Sequence, residues 1–128
     1  MAILPTWPGI KISITCNGAI LQEYNDDDDE PQPGTVTKYI ESISGAEFGI
    51  HWDITSPWPP YTVLFEYFLD QKKASGKYAK STCFKHPSFV HVEEGATSVV
   101  NGQGYLHKFS FAPLTIGEYL TNLGSVED

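Results

Sequence analysis

The sequence predicts an all-β fold, a single-domain antiparallel β-sandwich of about eight strands with little helix, spanning residues 1–128. Three observations carry this. Residues 47–54 alternate strictly, with Phe48, Ile50, Trp52 and Ile54 on one side and Glu47, Gly49, His51 and Asp53 on the other; a period of two marks a half-buried strand. Asn17-Gly18 separates two apolar stretches, a hairpin signal because both residue types tolerate positive φ. Aromatic residues make up 13% of the chain. Such side chains fill the space between pleated sheets, so composition and periodicity agree.

The elements follow in order. Residues 10–16 alternate, with Ile10, Ile12, Ile14 and Cys16 on one face, and residues 19–24 return as the hairpin partner. Residues 25–34 hold four consecutive aspartates and then Pro31, Pro33 and Gly34. Mutual repulsion and the prolines make this a flexible acidic loop. Residues 35–43 and 47–54 are expected to pair as two strands across a Ser44-Gly45 turn. Three prolines in residues 56–60 break the sheet, because proline cannot donate to a ladder.

Residues 61–69 are apolar on both faces and predict a central strand. Residues 70–76 read as a turn with a small basic cluster of Lys72, Lys73 and, just beyond, Lys77. Residues 78–84, 88–92 and 97–100 are short strands, and residues 101–104 form a loop. Residues 105–112 alternate again until Pro113, with Tyr105, His107, Phe109 and Phe111 aligned. Only residues 118–123 suit a helical turn. Residues 117–128 are expected to be a truncated C-terminal segment, a last strand barely begun, which would leave a sheet edge open.

The net charge is −8, from 16 acidic and 8 basic residues, and five acids fall in one run: Asp26, Asp27, Asp28, Asp29 and Glu30. Setting those five aside leaves 11 acids against 8 bases, a net of −3, so the acidity is mostly local. Such a chain, without one arginine, does not neutralise nucleic-acid phosphates, and direct nucleic-acid binding is not expected. The N-terminal stretch lacks a basic n-region and an apolar h-region, and no apolar run reaches membrane-spanning length. An intracellular location, cytoplasm or nucleus, follows as the expectation. Cys16 and Cys83 are then free, buried thiols.

Candidate chemistry is sparse. The acidic run fails as a calcium loop because ligands should alternate and a glycine should stand sixth, where Pro31 stands. It fits a solvated loop or a docking point for a basic partner. His51 with Asp53, and His91 with Glu93, each put two ligand types on one strand face, yet zinc needs three or four converging. Cys83 near Lys85 and His86 has an aromatic setting that favours an inert thiol. There is no Gly-x-Ser-x-Gly elbow and no phosphate-cradling loop. No catalytic, cofactor or metal site is expected. Trp52, Trp58, Tyr61 and Tyr67 are candidates for a sugar platform, of which Trp58, in the proline-rich loop, is the exposed one.

Several blocks carry a resemblance. They are Met1-Ala-Ile-Leu-Pro5 with Pro8-Gly9, the Asn17-Gly18 turn, and Glu23-Tyr24 before the acidic loop. The two longest are Thr37-Lys-Tyr-Ile-Glu-Ser-Ile-Ser-Gly-Ala-Glu-Phe48 and Lys108-Phe-Ser-Phe-Ala-Pro-Leu114. Together, over residues 1 to about 116, they resemble a fungal domain of unknown function. The resemblance implies a β-sandwich-like module of intracellular proteins and brings no catalytic residues to carry over. It also implies a further last strand, whose beginning Leu123-Gly-Ser-Val126 matches.

The leading functional expectation is a non-enzymatic protein–protein interaction module that uses an open sheet edge and the acidic loop, with residues 26–30 and Trp58 as partner-binding residues. Self-association through that edge is one form of it. The alternatives are an acidic histone-chaperone-like protein binding basic tails, by fold analogy, and a carbohydrate-binding module using Trp58 and Tyr61.

Overall fold

The computed structural model describes residues 1–25 and 33–113. Its strands are β1 (Ala2–Ile3), β2 (Ile10–Cys16), β3 (Ala19–Ile20), β4 (Glu23–Asn25), β5 (Lys38–Ile40), β6 (Gly49–Ile54), β7 (Val63–Leu69), β8 (Lys72–Ala79), β9 (Phe89–Glu93), β10 (Gly95–Val100) and β11 (Gln103–Lys108), with one 3₁₀ turn at Ser81–Cys83. The fold is all-β and every pairing is antiparallel. A five-stranded sheet runs β1-β2-β6-β9, with β3 folded back on β2. Three two-stranded ribbons, β4-β5, β7-β8 and β10-β11, complete it.

The alternating segment behaves as its period dictates. Phe48, Ile50, Trp52 and Ile54 are all buried, and Trp52 is wholly inaccessible. Its indole stacks on Phe65 of β7 with centroids 4.5 Å apart, and meets Phe89 and His91 of β9 at 5.3 and 5.0 Å. The indole N–H donates to the Tyr67 hydroxyl across 2.6 Å, so the one polar atom of the ring is satisfied without water. The core therefore lies between the five-stranded sheet and the β7-β8 ribbon. Phe48 extends it by stacking on Phe111 and Phe109, at 4.6 and 5.6 Å.

The Asn17-Gly18 turn forms as expected, with φ of 54° and 78°. Its return strand is shorter than residues 19–24: it pairs with β2 only at Ala19 and Ile20. Leu21 makes one more bond to Ile14, and β4 then pairs with β5 instead.

Four expectations are corrected. Residues 35–43 and 47–54 do not pair with each other. β6 lies between β2 and β9, while β5 joins β4; alternation fixes which way side chains point and leaves the choice of neighbour open. Residues 61–69 give no central strand: among the described residues β7 pairs only with β8. The lysine-rich segment is a strand and not a turn. Asp70 and Gln71 alone make the connection at φ of 50° and 67°, a left-handed pair without the glycine that usually signals it. Finally, Cys16 is buried but Cys83 is exposed, because it sits in the 3₁₀ turn outside any sheet. The C-terminal expectations for residues 117–128 lie outside the described residues, as does the acidic run.

Phe109 and Phe111 leave the β10-β11 ribbon and bond instead to residues 45–48 and Glu94. This explains why they are buried while Tyr105, on the same alternation, is 45% exposed.

Truncating Trp52 to alanine removes the contact on which both layers converge, and Trp52→Ala is expected to cost about 3–5 kcal/mol in urea unfolding. Burial, opposed by the Trp52 hydrogen bond and reinforced by the charge of Glu93, pushes the Tyr67 phenol up to about 12 from an ordinary 10. Between those values the unfolded chain gives up a proton that the folded chain keeps. Stability is therefore complete below pH 10 and falls as pH rises toward 12. Tyr67→Phe should abolish that component, as read by urea midpoints across the window, while lowering stability at neutral pH by about 1–3 kcal/mol through the orphaned indole N–H.

Candidate interaction groove

A broad concavity follows from the way β7 is anchored. Val63, Phe65, Tyr67 and Leu69 turn toward the core, so Leu64, Glu66 and Phe68 turn away from it. Leu64 is 45% exposed and Phe68 44%. The edge of β7 opposite β8 borders an open groove of about 930 Å³. Its facing wall comes from the N-terminal segment and β2, including Leu4, Trp7 and Ile12, and from the residues before β5, including Val36. Tyr61 closes one end, with its ring edge-on to Trp7 at 5.7 Å. Most of the lining is apolar, and among the described residues Glu66 is its one charged member.

Backbone polarity matters as much as side chains here. The Asp70-Gln71 turn joins Leu69 to Lys72 as paired residues, and a two-residue turn is closed by a hydrogen-bonded pair. Alternation from that pair places the N–H and C=O of Leu64, Glu66 and Phe68 away from β8. The register shift between Tyr67 and Phe68 places the extra residue, Ala74, on β8, which leaves the outward row of β7 unbroken. Among the described residues, the groove thus offers unpaired ladder groups and apolar walls together.

Of the predicted partner-binding residues, the structure describes Trp58. Residues 26–30 lie outside the described residues. Trp58 is half-buried and not freely exposed: it stacks parallel on Phe84 at 6.0 Å, an interplanar angle of 3°, and packs against the core. The proline-rich loop folds back onto the protein, with Pro59 buried. Trp52 and Tyr67 are core residues, and Tyr61 belongs to the groove, so the four aromatics considered for a sugar platform are divided among different clusters.

The titratable groups are likewise scattered. His91 lies 3.5 Å from Glu93 on the inner face. On the outer face of β2-β6, Ser13 stands directly opposite His51 and Lys11 opposite Asp53. The Oγ of Ser13, Nδ1 of His51 and Oδ1 of Asp53 are buried without a hydrogen-bond partner among the described residues. A Ser-His-Asp relay needs each member bonded to the next, and these are not. Far from being solvent-facing, His51 and Asp53 are half-buried. No group of three or more metal-ligating side chains converges among the described residues.

Comparison with known families places the chain in a domain family without assigning it an activity. A family model described as a domain of unknown function, DUF7918, matches residues 9–125. The chain belongs to that family. The matched span of DUF7918 covers β2 through β11, and hence β7, β8 and most of the groove. No curated protein matches the chain, and no solved structure does. Among the described residues no helix is long and apolar enough to cross a membrane.

Sequence reasoning missed the groove because it read residues 61–69 as a strand covered on both sides. The signal was present in that same observation. A strand apolar on both faces needs cover on both, and among the described residues β7 has cover on one. Because Leu64 and Phe68 contribute little to the core, Leu64→Ser and Phe68→Ser should each change unfolding free energy by no more than about 0.5 kcal/mol in chemical denaturation.

Proposed function

We propose that this DUF7918 domain is a non-enzymatic interaction module that takes up an extended segment of another protein by strand addition along the free edge of β7. The observation that carries the reading is the coincidence of a strand edge unpaired among the described residues with an apolar groove. Main-chain bonds to Leu64, Glu66 and Phe68 supply affinity, and alternate side chains of the added strand enter the groove to supply selectivity. An exposed edge without such a role is a hazard that proteins blunt with charge, proline or a covering element. Here the edge carries one charge and no proline. An intracellular setting suits the two free cysteines.

Phage display of random twelve-residue peptides on the immobilised domain tests this. Recovered peptides should alternate apolar and polar residues and should protect the amides of Leu64, Glu66 and Phe68 from hydrogen exchange. Leu64→Pro removes one outward N–H while keeping the β8 pairing, and should weaken binding by at least about tenfold. Peptides that bind the proline variant undiminished, with no protection on β7, would falsify the assignment.

A further inference from the structure

Next to β7 in the chain lies the main concentration of positive charge in the sequence. Five of the eight lysines, Lys72, Lys73, Lys77, Lys80 and Lys85, fall within residues 72–85, which contain no acidic residue, in a chain of net charge −8. All five are exposed. Lys73 lies 3.6 Å from Glu66, and the other four have no carboxylate within ion-pair distance among the described residues. β8 needs no lysine to pair with β7, and lysines on an edge strand also guard it against stray pairing.

The register of the ribbon relates this charge to the edge. Across β7-β8, Tyr78 stands opposite Leu64 and Lys73 opposite Phe68. Tyr78 is 66% exposed, so the outer face presents apolar and cationic groups side by side. A strand added to β7 lies about 5 Å from it and about 10 Å from β8, which carries Lys72, Lys73 and Lys77; that spacing is on the order of one Debye length at about 0.1 M salt. Glu66, midway along the edge, has Lys73 to offset it and disfavours an acid directly opposite itself.

Resting on the strand-addition reading, we infer that the segment taken up by β7 is acidic at its flanks and apolar at alternate central positions, an acidic peptide of a partner protein. The lysines of residues 72–85 then select for that charge and speed its encounter. This polarity is opposite to the one that the acidic run of residues 26–30 suggests, and the groove's own surroundings decide it. A nucleic acid is the other polyanion to consider, and the acidity of the remaining surface opposes it at long range.

Three fluorescein-labelled peptides with one alternating Val-Thr centre, flanked by Asp-Asp, Asn-Asn or Lys-Lys, separate the alternatives by fluorescence anisotropy. The Asp-flanked peptide should bind at least about tenfold tighter than the Asn-flanked one at roughly 50 mM salt, with the Lys-flanked one weakest. The advantage should shrink to about twofold at roughly 500 mM. The triple variant Lys73→Glu, Lys77→Glu, Lys80→Glu should invert the order, and the corresponding alanine variant should level it. Equal binding by the Asp- and Asn-flanked peptides overturns the charge inference and leaves strand addition standing. Absence of binding by all three removes the reading beneath both. A single-stranded oligonucleotide that binds tighter than the Asp-flanked peptide, through the same lysines, overturns the inference in favour of nucleic acid.

Discussion

The fold depends on a single indole with two requirements. Trp52 needs apolar contact on its faces and an acceptor for its N–H, and it stands in β6, between β2 and β9 of the five-stranded sheet. Phe65 meets the first need and Tyr67 the second, and both come from β7. The β7-β8 ribbon is therefore held to the sheet by alternate residues of one strand, with Phe89 and His91 filling the remaining sides of the ring. A two-stranded ribbon is only marginally stable in water by itself. This anchoring is what makes β7 a fixed element.

The same anchoring shapes what the other side of β7 offers. Because Val63, Phe65, Tyr67 and Leu69 are committed to packing, the position and twist of the strand are set before anything approaches its edge. A partner that adds to it has to order only itself, and the entropic cost of association falls on one molecule. Leu64 and Phe68 remain outside at little cost to the core. Packing and binding thus divide between the two residue parities of a single strand.

Much of this architecture was legible in the sequence, and the limits of that reading have physical causes. The alternation through Phe48, Ile50, Trp52 and Ile54 correctly marked the buried side of β6, because side-chain direction is a local property of extended backbone. Asn17-Gly18 marked its turn because positive φ is written into those residue types. The partner of β6 was not legible, since choosing β2 and β9 over β5 depends on contacts far apart in the chain. The Asp70-Gln71 turn was missed because neither residue advertises a left-handed conformation. The groove was invisible for a further reason: whether an apolar face is covered is a property of the assembled molecule. Trp58 shows the converse, since a flanking of prolines suggested exposure while Phe84 waited 26 residues away in sequence to take one face. For DUF7918, then, the sequence speaks more clearly about scaffold than about surface.

Gly9 gives this arrangement a mechanical reading. It is buried, its carbonyl accepts the Thr55 N–H at 2.8 Å, and a Cβ built there would lie 2.3 Å from the Thr55 carbonyl oxygen and 2.5 Å from that of Pro57. This contact clasps the chain just after Trp7 to the chain just before Tyr61, so the two sides of the groove mouth share one fastening. The spacing of the mouth is set by an atom that is missing. Any side chain at position 9 would act as a shim, widening the mouth from behind while leaving every residue that lines it unchanged.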